Sequence, residues 1–234
     1  MESLERILSQ INSFVWGPPL LVLLFGTHIY LTFRLRFIQR YIGKAIKISL
    51  KRTSEGEGDI SHFGALTTAL AATIGTGNIV GVATAIAAGG PGAVLWLWLT
   101  GIFGIATKYS EALLSVKYRI TNKKGAMSGG PMYVLERGMN AKWLGVIFAL
   151  FTSVAAFGIG NMVQSNSIAM LVKDTFSVPT WITGVILTVL TAIVILGGIK
   201  SIARVCGGLV PFMAFFYVLG CVVLLALGWR TIPD

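Results

Sequence analysis

Charge is the scarcest property of this sequence. Only 12% of its 234 residues are Asp, Glu, Lys or Arg, and just nine are acidic, far too few to cover the surface of a soluble globule. Cysteine and histidine are nearly absent, with two of each. Cys206 and Cys221 both fall near the last apolar segment with no histidine or carboxylate at ligand spacing. They are expected to be buried packing residues, neither a disulfide nor a metal pair. His28 stands alone in the first apolar segment and His62 at the start of the second. No nucleophile with its base, no carboxylate pair and no metal set emerges, so the chain is not expected to be an enzyme. The run of ten-residue alternating strands that would close a membrane barrel is missing as well. The opening "MESLERILSQ" sets Glu2 and Glu5 against Arg6 and lacks the basic leader of a cleavable signal peptide, so the first helix is expected in the mature protein.

What the chain does have is apolar length. Hydrophobic residues make up 55% of it, its mean hydropathy is +0.79, and the apolar residues arrive in long blocks. A spanning helix needs roughly 20 of them to cross about 30 Å of hydrocarbon. Six segments fit: 14 to 33, 62 to 88, 93 to 116, 143 to 172, 180 to 198 and 207 to 228. The expected fold class is an all-α polytopic membrane protein with about six transmembrane helices.

The net charge of +10 does not point to nucleic acid, because of where the basic residues lie. Arg34, Arg36, Arg40, Lys44, Lys47, Lys51 and Arg52 follow the first segment. Lys117, Arg119, Lys123, Lys124, Arg137 and Lys142 fill the next loop on that side, and Lys200 and Arg204 the third. The other side carries only Arg6, Lys173 and Arg230. By the positive-inside rule the crowded loops face the cytoplasm of a plasma membrane, with both ends of the chain outside. The stretch "LRFIQRYIGKAIKISLKR" at 35 to 52 interleaves apolar and basic residues, which suits a helix lying on the anionic inner surface. A solvated loop is the alternative.

One segment contradicts its own hydrophobicity. "AATIGTGNIVG", residues 71 to 81, places three glycines, two threonines and an asparagine in the middle of an apolar run. A continuous helix over 61 to 88 would be about 42 Å long, more than the hydrocarbon requires, and each glycine costs roughly 1 kcal/mol relative to alanine. The helix is therefore expected to unwind here. Freed backbone groups cannot face lipid, so they must meet protein, water, an ion or a ligand. A helix restarting near Asn78 would offer unpaired N–H groups and a positive dipole end to an anion, while carbonyls around Ala71 to Ile74 would suit a cation. Gly77 and Gly81 also form a small-xxx-small pair that could serve only helix packing. A dinucleotide fingerprint is excluded, because the spacing is G-x-G-x-x-x-G and no strand precedes it.

A second polar cluster, "FGIGNMVQSNS", lies in the segment from 143 to 172. Read as one helix, it puts Asn161, Gln164 and Ser165 on one face, where amides must point to partners or to a water-filled cavity. Hydrogen bonding between helices would account for them without a ligand. Lys108 and Glu111, one turn apart, read as an ion pair, with a proton relay as the alternative.

Together the motifs resemble the alanine or glycine:cation symporter family. The resemblance is carried by "INSFVWGPPLLVLLFGT", "EGDISHF", "TALAATIGTGNIVGVAT", "GGPGAVLWLWLTGIFGIATKYSEA", "GGPMYVLERG", "AAFGIGNMVQSNS" and "ILGGIKSIARV", in the family's order over nearly the whole chain. Leu95 and Leu97 stand where the family more often has Phe and Met. The resemblance implies a leucine-transporter-type (APC superfamily) fold and sodium-coupled symport of small neutral amino acids, alanine or glycine, by alternating access. It implies substrate carboxylate binding by the backbone of Thr76 and Gly77 with Gly75 allowing close approach, and substrate contacts from Gln164 supported by Asn161. It also implies Na+ at the carbonyls of Ala71 and Ile74, and at Thr73 with the Asn78 side chain. Members of that family are about twice this long, so the chain is expected to comprise an N-terminal helix and basic loop (1 to 60) and the first five-helix repeat (61 to 234). A C-terminal half carrying the second inverted repeat would be the missing partner, without which the chain would not transport. A non-transporting membrane assembly module is the rival reading.

Overall fold

A computed structural model describes residues 2–52, 58–123 and 125–229. Glu57, Lys124 and Arg230 of the patterns above lie outside the described residues. In chain order the elements are α1 (Glu2–Val15), α2 (Pro18–Arg34), a 3-10 turn (Ile38–Tyr41), α3 (Ile42–Ser49), α4 (His62–Thr73), a π turn (Gly77–Gly81), α5 (Val82–Gly89) and α6 (Gly92–Lys117). A two-residue hairpin of β1 (Ile120–Thr121) and β2 (Met127–Ser128) follows, pairing Ile120 with Ser128. Then come α7 (Pro131–Tyr133), a second π turn (Val134–Gly138), α8 (Lys142–Ala155), α9 (Met162–Phe176), α10 (Thr180–Leu196) and α11 (Gly198–Leu227).

The residues group into two compact units, Met1–Lys44 with Ala85–Ala149, and Ala45–Thr84 with Leu150–Asp234. In the first unit, α2 packs along α6. His28 is buried there, and its Nδ1 shares a hydrogen bond of 2.7 Å with Thr107 Oγ1. A histidine that looks isolated in the sequence thus has its partner on α6. Phe25 meets Trp96 edge-on, with ring centres 5.7 Å apart, and Gln39 reaches across to the Ile102 carbonyl at 3.0 Å.

In the second unit, α4 packs on α11, and α10 packs on both α9 and α11. Small residues set the first contact: a β-carbon at Gly64 would lie 3.5 Å from Cβ of Ala203, and one at Gly207 would lie 3.8 Å from the Phe63 ring. Thr67 is buried in this seam and satisfies its hydroxyl on the carbonyls of Phe63 and Gly64, the usual way a hydroxyl is carried inside a helix.

Among the described residues the only buried hydrophobic side chains are Ala106, Ala169, Ala203 and Val210, while Leu196 is 87% and Phe157 80% exposed. Such surfaces are intolerable in water but natural where the solvent is hydrocarbon. The stretch Glu5–Arg34 and α11 are each 30 residues long and apolar enough to span a membrane, and the bent pair His62–Thr73 with Gly77–Gly89 brings the number to three if it crosses as one broken span. α6 has 26 residues, about 39 Å of helix.

Three expectations change. The segment 143 to 172 is not one helix: it breaks after Ala155 and restarts at Met162, because Gly158 and Gly160 sit at its middle. The last helix begins at Gly198 rather than at 207, so Lys200 and Arg204 lie on it and not in a loop, and it carries Pro211 in its interior. The basic stretch after α2 forms the 3-10 turn and the eight-residue α3 in place of one long helix.

Candidate functional site

α4 ends at Thr73, and Ile74 leaves helical geometry with φ −80° and ψ 97°. The chain restarts at Thr76, bent by 52°. The break is short, yet it strands both sets of backbone groups. The Ile74 N–H still donates to the Leu70 carbonyl at 2.7 Å, and the Asn78 N–H donates to the Gly75 carbonyl at 3.0 Å. Between those bonds, the N–H groups of Gly75, Thr76 and Gly77 have no acceptor among the described residues, and the carbonyls of Ala71, Ala72, Thr73 and Ile74 receive no donor. Four carbonyls at a C-terminus and three amides at an N-terminus thus lie within seven residues, partial charges of opposite sign side by side. The restart is a π turn rather than an α turn, a widening that moves carbonyls off the regular ladder.

The break opens on a cavity of about 530 Å³, which is lined by Thr73, Gly75, Thr76, Gly77 and Asn78 from one side. From the other side it is lined by Gly158, Ile159, Gly160, Val163 and Gln164. These last residues belong to the second break. There the chain turns from Ala156 to Asn161, with Gly160 at φ +90°, a conformation that a side chain would strain. Asn161 caps α9: its Oδ1 accepts from the Met162 N–H at 2.8 Å, and its Nδ2 donates to the Ala156 carbonyl at 2.9 Å. One side chain therefore holds both edges of the turn.

Gln164 is placed differently. Its amide has no hydrogen-bond partner among the described residues, and it lies so close to the first break that a β-carbon on Gly75 would sit 3.1 Å from Nε2. A side chain at 75 would press on that amide, which would have to give by a few tenths of an ångström. The hydroxyl of Thr73 donates to the Ala69 carbonyl at 2.8 Å, which leaves its lone pairs for a cation.

Of the residues singled out from sequence, Gly75, Thr76, Gly77, Asn78, Thr73 and Gln164 meet around one cavity. Ala71 and Ile74 flank it, and Asn161 is spent on its own turn. Missed were Ala72 and the wall of Gly158, Ile159, Gly160 and Val163, signalled in the sequence only by the Gly-x-Gly pair. Nothing lies within 4 Å of a β-carbon at Gly77 or Gly81, so among the described residues no helix packs on that small-xxx-small pair. Lys108 and Glu111 form the expected ion pair at 2.8 Å, well exposed, and no metal-binding cluster of His, Cys, Asp or Glu occurs among the described residues.

Apolar helices with bare apolar faces, two of them interrupted around one cleft, define an integral membrane protein. The family model described as the sodium:alanine symporter family matches residues 1–234, and the chain belongs to that family. It is 56% identical to the sodium/alanine symporter AgcS of Methanococcus maripaludis over 95% of this chain and 51% of that protein. It is 54% identical to an uncharacterized transporter of Haemophilus influenzae over 99% of this chain and 51% of that protein. It is also 40% identical to the uncharacterized transporter YflA of Bacillus subtilis over 100% and 50%. The chain spans about half the length of these curated relatives.

Proposed function

We propose that this chain forms the N-terminal half of a sodium-coupled symporter for small neutral amino acids, alanine or glycine. In this reading the fold is of the leucine-transporter type: one extra N-terminal helix and a first five-helix repeat, about six spans, with the basic loops on the cytoplasmic side of the plasma membrane and the N-terminus outside. The observation that carries it is the pairing of three free amides and four free carbonyls at one helix break, facing a free carboxamide across a cleft. A zwitterionic amino acid and a monovalent cation need that combination: its carboxylate suits the amides of Gly75, Thr76 and Gly77, while Na+ suits the carbonyls of Ala71 and Ile74 and the oxygens of Thr73 and Asn78. Gln164 contacts the substrate, and Asn161 holds the turn that positions Gln164. The close approach of the Gln164 amide to Gly75 narrows the cleft there, which favours short side chains.

Sodium at the carbonyl end lowers the cost of gathering those dipoles and so raises amino-acid affinity, and by linkage the amino acid raises sodium affinity equally. Movement of both across the membrane by alternating access requires a second repeat to close the cleft. The test is alanine binding by the purified chain, with and without sodium, alone and co-expressed with the C-terminal half of AgcS. Sodium-dependent binding that appears only in the pair is expected. Sodium-independent binding would sink the coupling, and uptake into proteoliposomes by the chain alone would sink the half-carrier reading.

A further inference from the structure

A second cavity of the same unit, about 470 Å³, shares no residue with the cleft. It lies where the start of α11 crosses the start of α4, and three cations, Arg52, Lys200 and Arg204, line it against a single carboxylate, Asp59. Asp59 already has an interaction of its own. None of the three cations has an acidic partner among the described residues. Arg52 is held in place: the Phe63 N–H donates to the Lys51 carbonyl at 3.0 Å, and the Arg52 guanidinium lies 5.5 Å from the centre of the Phe63 ring. The N-terminus of α4, capped by Ser61, lines the same cavity and adds the positive end of its dipole. Among the described residues, three cations lining one cavity with one carboxylate leave an excess of positive charge, which a phosphate satisfies with charge-assisted hydrogen bonds.

The surface beyond the cations indicates which phosphate. On α11, Lys200, Arg204, Gly208, Phe212 and Phe216 succeed one another every four residues, each beside the next in a row that winds slowly round the helix. A β-carbon at Gly208 would meet nothing within 4 Å, so the row has a notch directly after its cations. Phe212 and Phe216 are each 67% exposed and stack with ring centres 6.2 Å apart. We propose that this cavity holds the phosphate of an anionic membrane lipid, whose acyl chain follows the α11 row through the Gly208 notch and over Phe212 and Phe216. A soluble phosphate would use the cations and leave the apolar track bare; the two together match a headgroup and its chain.

The test is titration of the detergent-purified protein with phosphatidylglycerol and with phosphatidylcholine, bound lipid being counted by native mass spectrometry. Phosphatidylglycerol is expected to bind at least about tenfold more tightly than phosphatidylcholine. The double variant K200Q/R204Q should weaken phosphatidylglycerol about 30-fold and leave phosphatidylcholine unchanged. Gly208→Leu, whose β-carbon would meet no neighbour within 4 Å and whose side chain would occupy the notch, should weaken phosphatidylglycerol several-fold at unchanged Tm. Should the double variant not purify folded, Arg52→Gln carries the same prediction at about fivefold. Equal binding of the two lipids overturns the proposal, as does indifference to the charge variants. Displacement of phosphatidylglycerol by millimolar inorganic phosphate, with Gly208→Leu silent, overturns the lipid in favour of a soluble anion.

Discussion

The two helix breaks that face each other across the cleft are built in opposite ways. The first, at Ile74 and Gly75, is brief and leaves its polar groups unspent: the amides from Gly75 to Gly77 and the carbonyls from Ala71 to Ile74 have no partner among the described residues. The second, from Ala156 to Asn161, is longer and largely closes on itself. The N–H groups of Phe157, Gly158 and Ile159 find carbonyls behind them, and Asn161 ties the turn at both edges. A break whose dipoles are satisfied internally is a scaffold, whereas one whose dipoles are stranded in an apolar setting needs a ligand to be stable. The first break is therefore where binding energy is expected, and the second is where rigidity is.

The largest effect that would sharpen this contrast comes from Gly77→Val. A β-carbon at Gly77 meets no neighbour, so folding should change by no more than about 1 kcal/mol. Two branched methyls beside the free amides should abolish sodium-dependent alanine binding by the paired halves, at least about 100-fold. Equal losses of binding and of Tm would mean that Gly77 is a packing residue after all.

Gln164→Ala ranks next. Its amide has no hydrogen-bond partner among the described residues, so its removal should leave thermal stability intact. A hydrogen bond to a charged group is worth about 1.5–3 kcal/mol, which corresponds to a loss of alanine affinity between about tenfold and 100-fold. Asn161→Ala should show the reverse pattern. Losing a cap that also ties Ala156 costs about 1–2 kcal/mol of stability, read as a fall in Tm, while alanine affinity moves by less than about threefold. A large affinity loss at unchanged Tm would return Asn161 to the substrate.

The same contrast explains what the sequence revealed and what it hid. The first break was legible because Gly75, Gly77 and Gly81 interrupt a run too long for the membrane, and local propensity and global length agree on the same place. The second was hidden because Asn161 and Gln164 fit a helix face by spacing, and spacing takes continuity for granted; Gly158 and Gly160 were the stronger signal. The start of α11 was misplaced because Lys200 and Arg204 read as loop charges, although cations at a membrane boundary sit comfortably on a helix. His28 looked solitary because its partner, Thr107, is on another helix, and no periodicity within α2 encodes that contact.

The smallest predicted effect bears on the last competing account of the first break. If Gly81 exists to let a second helix approach within this chain, a methyl there must collide with something, yet a β-carbon at Gly81 has open space around it for 4 Å. Gly81→Ala should then be neutral or stabilising by up to about 1 kcal/mol, since alanine restricts the unfolded chain and favours helix, and alanine binding should be unchanged. Because Gly81 closes the π turn, the added helix propensity would also favour a regular α turn there. Hydrogen exchange at Val82 and Ala83 should slow slightly in the variant. A Tm lowered by several degrees when the chain is paired with the C-terminal half of AgcS, but not when it is alone, would instead show that a surface of that partner closes on this face.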